Sequence, residues 1–90
     1  MLIVKMHLGR YEMREVDGSL LGQIVQGQYG WMARNAKGYG PRQPRTSAWS
    51  ALELATVLGF FERGPIWRQL VQQADEKFHH NERVARSDAR

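Results

Sequence analysis

No cysteine occurs in the 90 residues, which removes disulfides, thiolate nucleophiles and sulfur-ligated zinc together and fits a reducing compartment. Long hydrophobic runs are missing as well: the longest, Leu2 to Val4, is broken by Lys5. Neither a membrane span nor a secretory h-region fits in so short a run, and the expectation is a soluble, cytoplasmic protein. The most informative absence is electrical. From Gly18 to Leu52 there is no acidic side chain, while the segments on either side hold acids and bases in equal number. The formal charge of +4 therefore originates in Arg34, Lys37, Arg42 and Arg45.

Catalytic signatures are also lacking. No Gly-x-Ser-x-Gly, P-loop or His-Glu-x-x-His occurs, and Gly38-Tyr39-Gly40 has neither the third glycine nor the preceding apolar strand of a dinucleotide fingerprint. His7 stands alone, and the adjacent His79 and His80 point about 100° apart on a helix. Glu76 with His79 offers two metal ligands and no more. The sequence predicts no enzyme, no metal site, no cofactor and no small-molecule substrate.

What is present suffices for one folded unit. The apolar fraction is 42%, with three each of Phe, Trp and Tyr, and this length buries roughly 60 to 65 per cent of its unfolded surface. Leu2, Val4, Met6 and Leu8 alternate with Ile3, Lys5 and His7, and the alternation continues through Tyr11 and Met13 after a bulge or turn at Gly9. Asp17-Gly18 supplies the dipeptide of a type I′ hairpin turn ahead of a strand from Leu20 to Gln26. The Gly27-Gln28-Tyr29-Gly30 turn then leads into Trp31 to Asn35. Pro41 and Pro44 cannot both donate to a ladder, so the segment after Lys37-Gly38-Tyr39-Gly40 reads as an edge strand or extended arm.

Thr46 or Ser47 caps a helix with Ala48, Ala51, Leu52, Ala55 and Leu58 on one stripe and Gly59 as its stop. Gly64-Pro65 opens a second helix, on which Trp67, Leu70, Val71, Ala74 and Phe78 form a stripe that serves as core or as a dimer seam. Asp75 and Glu76 read as that helix's solvated face. The fold class expected is α+β: an antiparallel sheet of three to five strands from the N-terminal half, packed by two C-terminal helices. Residues 1–79 form the single compact domain and 80–90 a charged, flexible tail, either a frayed helix end or a disordered segment, because little from His79 onward is apolar enough to offset the entropy of ordering.

With Ile24, Trp31 and Ala33 turned to the helices, the opposite sheet face carries Gln23, Val25, Met32 and Arg34. Gln23, Arg34, Lys37, Tyr39, Arg42 and Arg45 are the candidate binding residues. Arg34 and Gln23 suit base edges, and Lys37, Arg42 and Arg45 suit phosphates. Trp31 and Trp49 read as core, whereas Tyr29 and Tyr39 sit beside turn glycines and suit stacking or insertion into a partner. Nucleic acid and an acidic protein surface both fit this stretch, and so does a solvated face with no partner. The N-terminal strand, rich in Leu, Ile and Val, leaves a homodimer open.

Gly30-Trp31-x-Ala33, a glycine turn, and Thr46-x-Ala48 with Ala51-Leu52 opening a helix resemble the plant ethylene-response DNA-binding domain. The arm-binding domain of tyrosine integrases is similar. The resemblance covers about residues 19–58 and implies a sheet face that enters the major groove, with Gln23, Arg34 and Arg42 as contacts. In general character the chain also resembles the small basic proteins that phages and other mobile elements encode. Some of those bind nucleic acid and some inhibit host machinery, including nucleic-acid-guided defence complexes.

Overall fold

The computed structural model describes residues 2–62 and 67–88. Four strands, β1 (Leu2–His7), β2 (Arg10–Arg14), β3 (Leu20–Gly27) and β4 (Gly30–Asn35), precede two helices, α1 (Ala48–Val57) and α2 (Trp67–Asp88). The strands form one antiparallel sheet in the order β1-β2-β3-β4, so the α+β architecture follows the alternation in the sequence. The Gly64-Pro65 helix start lies outside the described residues.

The hairpin turns close by a different route from the one the dipeptides suggest. Between β2 and β3 the Glu15 carbonyl accepts from Gly18 N–H and Glu15 N–H donates to Ser19, both at 2.9 Å. Gly18 has φ 90°, and no residue other than glycine has positive φ among those described. Asp17 therefore cannot occupy a type I′ position; the loop is a three-residue type I turn closed by a glycine bulge. After β4 the same construction recurs. Gly38, at φ 87°, donates to the Asn35 carbonyl, and Asn35 N–H donates to Tyr39 O.

That second turn sends residues 39–45 back along the outer edge of β4. Trp31 and Arg45 exchange backbone hydrogen bonds at 2.8 and 2.9 Å, and Gly40 lies against the Ala33 carbonyl, where any Cβ would collide. The Pro-containing segment is thus an edge arm, as its missing donors predict. It closes one side of the sheet.

Both helices cover one face of the sheet. Tyr11, Met13, Ile24 and Ala33 from the strands meet Ala48, Ala51, Leu52 and Ala55 of α1 and Trp67, Val71 and Ala74 of α2 in a single buried cluster. Small residues on α1 allow it to lie close, and their burial supplies most of its attachment. The Ser47 and Ser50 side chains form a reciprocal capping box at its start. At its end Gly59 N–H donates to Thr56 O and Phe60 N–H to Ala55 O, the Schellman pattern. Phe60 and Phe61 then fold back onto the core. The Phe61 ring can reach the sheet because residue 22 is glycine: a Cβ there would stand 2.8 Å from Phe61 Cε1.

α2 is fixed to the other elements by polar contacts that helical spacing does not reveal. Trp67 Nε1 donates to Thr56 Oγ1 at 2.9 Å. Asp75, expected in solvent, accepts from Lys5 Nζ at 2.8 Å and from Tyr11 Oη at 2.5 Å. The Lys5 ammonium also lies 5.4 Å from the Tyr11 ring centroid and 5.3 Å from that of Phe78, a cation–π setting that compensates its desolvation. The backbone stays helical as far as Asp88, the helical one of the two forms that the sequence leaves open for the charged C-terminal segment. No proline or glycine interrupts 79–88, so each added residue of an established helix adds a hydrogen bond without a new nucleation cost.

Candidate nucleic-acid interface

Register determines what the uncovered face carries. Val4, Glu12, Gln23 and Arg34 lie in one row across all four strands, and Val25 pairs with both Arg10 and Met32 in the next. Directly opposed residues of an antiparallel pair share a face, so Arg10, Arg14, Gln23 and Arg34 stand together on the side away from the helices. Arg10 and Arg14 escape a count of charge along the chain, which finds residues 1–17 neutral. Strand alternation through Arg10, Glu12 and Arg14 is the signal that finds them.

Glu12 is the single acid on this face among the described strands. Its carboxylate lies 2.6 Å from Arg14 Nη2 and 3.7 Å from Arg10 Nη2, and its side chain is almost covered. Arg14 also donates to the Gly18 carbonyl at 2.7 Å, which holds its guanidinium beside the turn. One carboxylate shared between two guanidiniums leaves the stripe net positive.

At the β4 edge, Asn35 Oδ1 accepts from the backbone N–H groups of Lys37 and Tyr39, each at 3.0 Å. This side-chain clamp orders the loop without help from a core. It turns Tyr39 and Arg42 toward Met32 and Arg34, and these residues with Pro41 border a hollow of about 260 Å³. Two guanidiniums and an exposed phenol around a small polar hollow match the chemistry of a phosphate or a splayed base.

Of the six candidate residues, Arg34, Tyr39 and Arg42 are gathered at this hollow and Gln23 pairs with Arg34 in the sheet. Lys37 is exposed at the turn tip. Arg45 stands apart, because its bridge partner Trp31 lies on the helix side, stacked obliquely on Tyr11 with ring centroids 5.4 Å apart. Trp31 and Trp49 both pack on the core as half-buried residues, and the Arg68 guanidinium caps the Trp49 ring at 5.1 Å. Tyr29 and Tyr39 are 82% and 65% exposed, which leaves both rings free for a partner.

Among the described residues two titrating groups are displaced, and both lie off this face or at its turn. Burial, reinforced by Asp75, pushes the Tyr11 hydroxyl well above its ordinary range. The Ser19 hydroxyl and backbone N–H hold the Asp17 carboxyl below its usual value. Among the described residues no three His, Cys, Asp or Glu side chains gather as metal ligands, and no helix is long and apolar enough to cross a membrane. Compared with protein-family models, with curated proteins and with solved structures, the chain gives no match.

Proposed function

We propose that this is a small, non-catalytic nucleic-acid-binding protein, of the regulatory kind a phage or mobile element encodes, which presents its uncovered sheet face to the polyanion. The observation that carries the reading is the gathering of Arg10, Arg14, Arg34 and Gln23 on one face, with Tyr39 and Arg42 at its margin. Arginine and glutamine are the side chains that pair with guanine and adenine edges, while the peripheral cations meet phosphates.

A fluorescence-anisotropy titration against duplex and single-stranded oligonucleotides tests it. If four cations neutralise four phosphates, the log-log salt slope is about −3.6 and affinity falls on the order of 100-fold between 50 and 200 mM salt. Arg42→Ala should reduce that slope by roughly 0.9 for every sequence. Absence of binding to any oligonucleotide at low salt would sink the reading.

A second reading rests on a separate observation. Leu2, Val4, Val25 and Met32 lie on the same face as the arginines, and Met, Arg and Tyr amid apolar neighbours typify protein interfaces. An inhibitor that docks on an acidic or nucleic-acid-binding surface of a host complex uses such a face directly. Capture of a host protein that survives nuclease treatment distinguishes it.

A further inference from the structure

The arginines of the uncovered face fall into two groups. Arg10 and Arg14 share the Glu12 carboxylate, whereas Arg34 and Arg42 have no ion-pair partner among the described residues, and no acid lines the hollow that both border. Two like charges on one small hollow are relieved by an anion. Tyr39 borders the same hollow on a backbone fixed from both sides: its N–H donates to Asn35 Oδ1 at 3.0 Å and its carbonyl accepts from Asn35 N–H at 2.7 Å. Both of its neighbours are glycines. Gly38 has φ 87°, and Gly40 has no room for a Cβ beside the Ala33 carbonyl, so neither position readily takes a side chain that would cover the ring. The phenol is left exposed on a segment that loses little freedom when a partner arrives. At about 260 Å³ the hollow is smaller than the roughly 300–1,000 Å³ of a pocket that encloses a whole small ligand. It suits one unit of a longer polymer.

We propose that this hollow is a single-nucleotide subsite for single-stranded nucleic acid, in which Arg34 and Arg42 hold a backbone phosphate and an unpaired base stacks on Tyr39. The inference rests on the nucleic-acid reading and narrows its substrate class. A duplex keeps its base faces inside the stack, so it offers the Tyr39 ring nothing unless a nucleotide is flipped out. A single strand presents a π face at every residue, next to a phosphate that the guanidiniums can take. Carboxylates alone would answer the guanidiniums and leave the ring unused.

Anisotropy titrations of the full chain at about 50 mM salt test it with an oligothymidylate of about 12 nucleotides, an abasic strand and a blunt duplex of the same length, and polyglutamate as competitor. The oligothymidylate should bind about tenfold more tightly than the duplex or the abasic strand. Tyr39→Ala should lose that preference, weakening oligothymidylate about tenfold while the abasic strand and the duplex stay within about twofold. Tyr39→Phe keeps the ring and should keep the affinity. Because the ring lies outside the buried cluster, both variants should unfold at the wild-type temperature. Duplex bound as tightly as the single strand, or a Tyr39→Ala variant that loses nothing or loses equally on every probe, overturns the inference and leaves the nucleic-acid reading in place. Polyglutamate that competes as well as unlabelled oligothymidylate overturns it in favour of an acidic protein surface. Failure of every oligonucleotide to bind removes the nucleic-acid reading, and this inference with it.

Discussion

Glu12 and Tyr11 are neighbours in sequence with opposite duties, because successive strand residues point to opposite faces. Glu12 lies in the middle of the basic face, where it partly cancels Arg10 and Arg14. Glu12→Gln keeps the shape and most of the packing but releases one net positive charge. Under the nucleic-acid reading it should tighten binding severalfold and steepen the salt slope by about one; unchanged affinity in the same titration counts against this face as the contact. Tyr11, on the other face, donates its buried hydroxyl to Asp75. Tyr11→Phe should cost about 1 kcal/mol in urea denaturation at neutral pH.

The pH dependence of that tyrosine has a definite sign. Its folded pKa is raised above the ordinary 10.0, so the neutral hydroxyl is favoured by folding. The contribution is complete below pH 10 and disappears as pH rises further, when ionisation favours the unfolded chain. Between pH 10 and 11 the native protein should lose stability faster than Tyr11→Phe, as read from thermal unfolding midpoints. Equal slopes would mean that the hydroxyl is not buried as described.

At the scale of elements, packing depends on a few close approaches. Gly22→Ala would thrust a methyl group into the Arg34 carbonyl and the Phe61 ring, and Phe61 is in turn edge-on to Trp67 with centroids 6.4 Å apart. Overpacking of this kind costs about 1–3 kcal/mol, measured by chemical denaturation; a neutral effect would show that Phe61 does not lie on the sheet.

Strands and helices were legible in the sequence because periods of 2 and 3.6 are imposed by which faces are buried. The turn type was not, since Asp17-Gly18 suits two loop lengths and only the pairing register shows that Val16 joins the turn. Asp75 was misread for a related reason: helical spacing identifies neighbours within α2 but not Lys5 and Tyr11 on strands some 64 to 70 residues earlier. The candidate site was half visible. Arg34 and Arg42 follow from a charge count along the chain and Tyr39 from its place beside turn glycines, but Arg10 and Arg14 join them only when Glu15 and Asp17 are set aside in the turn and the strand faces are separated.

For the whole molecule, the row Val4–Glu12–Gln23–Arg34 has a metric consequence. Three strand spacings of about 4.8 Å separate Val4 from Arg34 along it, roughly 14 Å, and a twist of about 20–25° per strand turns its two ends some 60–75° apart. Under the nucleic-acid reading, one copy that lays this row along a duplex covers about four base pairs at roughly 3.4 Å each, and the twist limits a straight helix to the part of the row around Gln23 and Arg34.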